Sequence, residues 1–256
     1  MKHIYKFSIV LLAVFTFIGC NVDDDDAVTV LPMKELTASL SQQVDIIGVP
    51  DDATSYDLVI SFSEALPSYS TIEYSLDGGA TTSSSASTGD DTLVISIPFN
   101  SNDDFHDINL SDFIVVNASA RNFTTSISGS TSARLMRQGY FSAKMTWGTN
   151  QDLDLDLDVM TSSWGWGGTT LDSSAGVTNE ENVSARLQDG NYALYVFEWP
   201  TSSFSQPADL TFDIVTAGGN YNFTVNAEDV GWHIWFTKST DGDGNVSYIM
   251  YTEDPS

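Results

Sequence analysis

The sequence predicts an all-β chain: two antiparallel β-sandwich modules behind an amino-terminal signal peptide. Three observations carry this. No stretch holds a 3.6-residue apolar period long enough for a helix, whereas short runs of β-branched and aromatic residues recur between clusters of Gly, Pro, Asp, Asn and Ser. The plainest run is Asp152 to Val159, where Asp152, Asp154, Asp156 and Asp158 alternate with Leu153, Leu155, Leu157 and Val159. A strict period of two sends the leucines into a core and the carboxylates to the opposite face of one strand.

The amino end carries Lys2 and Lys6, the apolar run Phe7 to Ile18, then Gly19 and the only cysteine, Cys20. The run is too short to cross a bilayer and reads as a signal peptide over 1–19. Phe17-Ile18-Gly19-Cys20 resembles the lipobox of bacterial lipoproteins, with Phe17 in place of the usual leucine. The resemblance implies cleavage before Cys20 and acylation of it, with palmitate among the chains. Lipidation would consume the one thiol, so packing and not disulfides must stabilise the mature chain. Residues 20–31, with the run Asp23 to Asp26, are too polar to fold and read as a lipidated acidic tether. An acidic run directly behind the acylated cysteine is similar to the signal that sends some Gram-negative lipoproteins to the outer face of the outer membrane. The expected location is therefore the outer membrane, on the cell surface.

The chain has 9 basic and 35 acidic residues, a formal charge of −26. Loss of Lys2 and Lys6 with the signal leaves seven basic residues and −28. Nucleic acid is excluded as a partner, and acidic lipid head groups are repelled, which leaves the lipid anchor as the membrane contact. The surplus acid either hydrates a surface in a saline medium or loads divalent cations.

Strand signals in the first module, 32–136, are Tyr56 to Ser63, Thr71 to Leu76, Thr92 to Phe99, Phe113 to Ala118 and Phe123 to Ile127. Asp77-Gly78-Gly79 marks a turn, and Thr81 to Asp91 reads as a polar loop. Such spacing predicts a broadly immunoglobulin-like or jelly-roll-like sandwich. Asp103, Asp104, His106 and Asp107 read as a solvated loop, with a cation site as the sharper alternative.

In the second module, 137–256, strands are expected at Tyr192 to Trp199, Leu210 to Val215, Tyr221 to Val225, Trp232 to Lys238 and Val246 to Thr252. Asp154-Leu155-Asp156-Leu157 followed by Gly190-Asn191-Tyr192 resembles the pre-peptidase C-terminal type of domain, although Trp164-Gly165-Trp166-Gly167-Gly168 stands where that family often has a Pro-Gly turn. The resemblance implies a non-catalytic β-sandwich, in some members associated with calcium. Asp241-Gly242-Asp243-Gly244-Asn245 reads as a hairpin turn, because the Gly and Glu of a calcium loop are missing at Val246 and Thr252.

All six tryptophans fall in this module. Trp147, Trp199, Trp232 and Trp235 sit in strand patterns and are expected to bury their rings. Trp164 and Trp166 lie in a Ser- and Gly-rich stretch, where they either fold back as a lid or stack on sugar faces as ligand-binding residues.

Only His106 and His233 remain beyond the signal, and no Gly-x-Ser-x-Gly elbow or phosphate loop is present, so catalysis has no visible constellation. The expected function is a lipid-anchored, non-catalytic binding or scaffolding component with a protein or glycan ligand. The alternative is a carbohydrate-binding or glycan-degrading surface lipoprotein acting through Trp164, Trp166 and nearby acids. A row of four carboxylates repels itself, so Asp152, Asp154, Asp156 and Asp158 are candidate ligands for Ca²⁺, with Asp172, Glu180 and Glu181 as candidate helpers. The opposite expectation is that the row faces water.

Overall fold

The computed structural model describes residues 34–66, 70–117, 123–176, 178–201 and 203–256. The signal, Cys20 and the run Asp23 to Asp26 lie outside the described residues. Among the described residues every regular element is a strand, and they form two β-sandwiches.

In the first sandwich one sheet has β1 (Lys34–Leu40) between β3 (Ser55–Phe62) and β8 (Phe123–Ile127), with β6 (Thr92–Pro98) beyond β3. The facing sheet runs β2 (Ile46–Val49), β9 (Ser132–Arg137), β7 (Phe105–Asn117), β4 (Ser70–Leu76), β5 (Thr82–Ala86). Alternate residues close the core: Ala38, Leu40, Leu58 and Ile60 from one sheet meet Val49, Ile72, Leu110 and Leu135 from the other. Pairing is antiparallel except that β1 runs parallel to β8 and β2 parallel to β9. Two consecutive strands at each end of this unit, β1 then β2 and β8 then β9, pair side by side in both sheets and so join them along one edge.

Two expectations need correction here. Thr81 to Asp91 is not all loop, because β5 pairs with β4 along its length. Of its Ser and Thr residues none enters the core and only Ala86 is buried, so backbone hydrogen bonds hold an edge strand that side-chain patterning does not reveal. His106 and Asp107 belong to β7 and not to a loop. Asp107 is bound by Arg134 at 2.5 and 2.9 Å, and Asp104 by Arg186 at 2.7 Å, so the acids of this stretch are answered by guanidinium groups.

The second sandwich has one sheet in the order β13 (Glu180–Arg186), β10 (Tyr140–Trp147), β15 (Ala208–Thr216), β16 (Gly219–Ala227). Its other sheet runs β12 (Trp166–Ser174), β11 (Leu153–Met160), β14 (Gly190–Glu198), β17 (Gly231–Thr240), β18 (Val246–Tyr251). Leu153, Leu155 and Leu157 of the Asp/Leu strand enter the core with Met145, Leu194, Phe212 and Phe236. Phe141 stacks on Phe236 with ring centroids 4.4 Å apart.

Only Gln138 and Gly139 link β9 to β10. Arg137, with no exposed surface, donates to the carbonyls of Pro50, Ala53, Phe99, Asn100 and Asp103 and lies over the Phe99 ring at 4.2 Å. A Cβ on Gly139 would come within 2.9 Å of the Leu187 carbonyl, a backbone atom that cannot turn aside, so this close crossing requires glycine. Across the joint Arg186 donates to the carbonyls of Ser101 and Asp103, and Tyr248 to that of Gln138.

Candidate metal centre

The register of β11 against β14 places Asp154 opposite Phe197, Asp156 opposite Tyr195 and Asp158 opposite Ala193 on the outer face of the five-stranded sheet. That row is closed off from water in part. Asp154 is 4% exposed and Asp158 is also buried, while Asp152 and Asp156 are half-buried. No Lys or Arg pairs with any of the four among the described residues.

The four carboxylates have different surroundings. Asp158 accepts from the Thr170 hydroxyl at 2.6 Å and from the Trp232 indole N–H at 3.0 Å, which satisfies both oxygens. Asp156 is held above the usual carboxylate range by burial, against a Ser173 hydrogen bond that lowers it, with Asp158 adding repulsion; its Oδ1 is buried without a partner. Asp154 is pushed up to about 6, first by burial and then by the charges of Asp152 and Glu181, with only the Gly176 N–H working the other way. Ala175 and Gly176 line a groove together with Asp154.

Glu181 completes this group. It is the second residue of β13, on the same face as Val183, is 3% exposed, and accepts from the Ser174 hydroxyl. Its Oε1 and Oδ1 of Asp152 are both buried without a hydrogen-bond partner. A Cβ on Gly176 would come within 2.9 Å of that Oε1, so the glycine leaves space at the carboxylate. The neighbouring Glu198 is the opposite case: burial works to raise it, yet the Ser205 hydroxyl and N–H and the Gln151 amide hold it below its ordinary value. Glu198 and Asp158 thus show how a buried acid is satisfied here. Asp152, Asp154 and Glu181 together carry two orphan oxygens and, among the described residues, no paired Lys or Arg, which is the condition a hard ion relieves. Among the described residues no three acidic, histidine or cysteine side chains already stand in chelating geometry, so loading would require these carboxylates to turn their free oxygens together.

Of the other candidate helpers, Glu180 is exposed and paired with Lys144 at 2.5 Å, and Asp172 accepts from the Ser184 N–H at 2.7 Å. Neither has a buried oxygen without a partner. Asp241 accepts from the N–H groups of Asp243 and Asn245 and from the Asn245 amide, which is the bonding of a hairpin turn.

The tryptophans divide. Trp164, at φ 63°, closes a tight turn from Thr161 and packs with Trp232 and Tyr251 on a small outer cluster of Met160, Ala193 and Trp235. Trp166 opens the edge strand β12 and is 57% exposed. Trp147 and Trp235 are buried as expected, but Trp199 is 64% exposed, just past the end of β14. Leu194 and Val196 point into the core, so Tyr195, Phe197 and Trp199 share the outer face with the acids. That period-two placement was present in the sequence and is the signal that identifies Trp199 as outward. With Phe197, Asp152, Asp154, Ala175 and Gly176 it lines a groove of about 460 Å³.

No family model matches the chain, and no curated protein matches it. Solved structures similar to it include the CBD12 of CALX1.2 (10% identity, TM-score 0.26, 62% of this chain and 79% of the other) and the calcium binding domain CBD12 of CALX1.1 (11%, 0.28, 68% and 80%). A marsupial T cell receptor is also similar (10%, 0.22, 75% and 99%). At these TM-scores the likeness carries no functional argument, and the all-β sandwich assignment rests on the strands themselves.

Proposed function

We propose that this chain is a lipid-anchored cell-envelope protein, held at the outer membrane through Cys20, whose second sandwich is a calcium-stabilised, non-catalytic binding module. The observation that carries the ion is the pair of orphan oxygens, Asp152 Oδ1 and Glu181 Oε1, on the two acids whose charges act on Asp154, with no Lys or Arg paired to any of the three among the described residues. Asp152, Asp154 and Glu181 would hold the ion, and Ca²⁺ would supply the positive charge that this cluster lacks. Ca²⁺ takes about six to eight oxygens, so three carboxylates leave positions for carbonyls, water or ligand. Asp156 and Asp158 lie further along the strand; Asp158 is already saturated by Thr170 and Trp232 and acts in packing. Anchor and address rest on the residues around Cys20, and the binding role rests on the open acid and aromatic groove.

Thermal melts test the ion. Ca²⁺ should raise the melting temperature of the second sandwich far more than Mg²⁺ at equal ionic strength, because Mg²⁺ demands tighter octahedral geometry. Equal responses to both ions would reduce the effect to screening and remove the site.

A further inference from the structure

The groove beside the acidic cluster has three features that one ligand class would use together. Its wall is the Trp199 ring, the most exposed of the large apolar side chains described. Asp152 and Asp154 lie at its base, one with a buried free oxygen, and Glu181 Oε1, in a residue 3% exposed, points at Gly176 on its rim. At about 460 Å³ it falls within the range of small-ligand sites, roughly 300–1,000 Å³.

We propose that this groove is a carbohydrate subsite that takes a neutral glycan, one sugar face lying on Trp199 and hydroxyls meeting Asp152, Asp154 and the ion they hold. The inference rests on the ion-binding reading above. Sugar hydroxyls donate to carboxylates and offer oxygens to Ca²⁺, while the axial C–H face of a pyranose is apolar and matches an indole. Charge selects among glycans: a chain of net −26 repels uronic-acid and sulfated polymers, so the occupant is neutral. A cationic peptide side chain would suit the bare acids, but a bound divalent ion neutralises most of that attraction. Trp199 with Phe197 on one side is a platform and not an aromatic cage. The platform also differs from the Trp164 surface, which is committed to covering Met160 and Trp235.

The test combines Ca²⁺ calorimetry on the purified protein with affinity electrophoresis through laminarin, xylan and mannan, in CaCl₂ and in EGTA, for wild type, Trp199→Ala and Trp166→Ala. The expected result is a calorimetric Ca²⁺ signal, retardation by at least one neutral polysaccharide in CaCl₂, and its loss in EGTA. Trp199→Ala should weaken retardation tenfold or more with Ca²⁺ binding retained, and Trp166→Ala should match wild type. Calcium binding without retardation by any of the three overturns the glycan subsite and leaves the ion standing. Retardation that survives EGTA or Trp199→Ala overturns the subsite as placed here, and absence of both signals overturns subsite and ion together. Retention on poly-lysine that Ca²⁺ abolishes, with none on the polysaccharides, overturns the glycan in favour of a cationic partner.

Discussion

Replacing Asp154 by Asn should stabilise the calcium-free protein while removing its response to calcium. Asp154 titrates near 6 in the fold against an ordinary 3.8, and each unit is about 1.4 kcal/mol, so its ionisation at neutral pH costs the folded state about 2–3 kcal/mol. The sign follows from proton binding. Between the two values the native state holds more protons than the unfolded one, so stability is highest below about pH 4, falls as pH rises to about 6, and is level above. Asn stays neutral, keeps an oxygen for the Gly176 N–H, and removes that fall. A gain of this size moves the melting temperature of a unit this small by on the order of 10 °C. Since all six tryptophans lie in the second sandwich, fluorescence melts in EGTA from pH 4 to 8 report that unit alone. Asp156 is also held above its ordinary value by burial, and Glu198 is held below its own and so contributes with the opposite sign, so the quantity to follow is the difference between variant and wild type. That difference should grow from near zero at pH 4 to its full value above pH 6. A variant less stable than wild type at pH 7 in EGTA, or a difference independent of pH, would show that the Asp154 charge does not burden the fold.

Other expectations follow from single contacts. Gly176→Ala should leave the calcium-free melting temperature nearly unchanged, because the clash is with the movable end of Glu181, yet weaken calcium stabilisation; an unchanged calcium response would place Glu181 outside the site. Arg137→Ala strips five carbonyls of their donor in a fully buried position and should cost about 3–5 kcal/mol in urea unfolding, whereas an unchanged midpoint would show the joint to be held by other contacts. Labelling with a palmitate analogue should mark the protein and vanish in Cys20→Ala, and a surviving label would remove the anchor from the account.

Much of the fold was legible because its strands alternate cleanly. Leu153, Leu155 and Leu157 enter the core as their spacing requires, and Leu58, Ile60, Ile95 and Ile97 do the same in the first sandwich. Thr82 to Ala86 was not legible, since an edge strand of Ser and Thr is held by backbone pairing and buries almost nothing. Part of the candidate site could be read: self-repulsion along Asp152 to Asp158 is written in the spacing, and Glu181 is one of three acids the sequence offers as helpers without placing them. What spacing cannot give is which carboxylate a loop covers. Asp158 finds Trp232 and Thr170, Asp154 accepts from the Gly176 N–H, and these outcomes depend on chain crossings remote from the strand. Trp199 was hidden by the general rule that tryptophans in strand patterns are buried, although its parity with Phe197 and Tyr195 sets it on the outer face.

If Asp152, Asp154 and Glu181 enclose a calcium ion, a crystal structure of the purified protein grown in CaCl₂, with anomalous differences recorded, will show it. An anomalous peak is expected within about 2.3–2.6 Å of oxygens from all three side chains, with Asp152 Oδ1 and Glu181 Oε1 among them. Those two oxygens left unliganded, with density of water alone or of nothing between them, would contradict it.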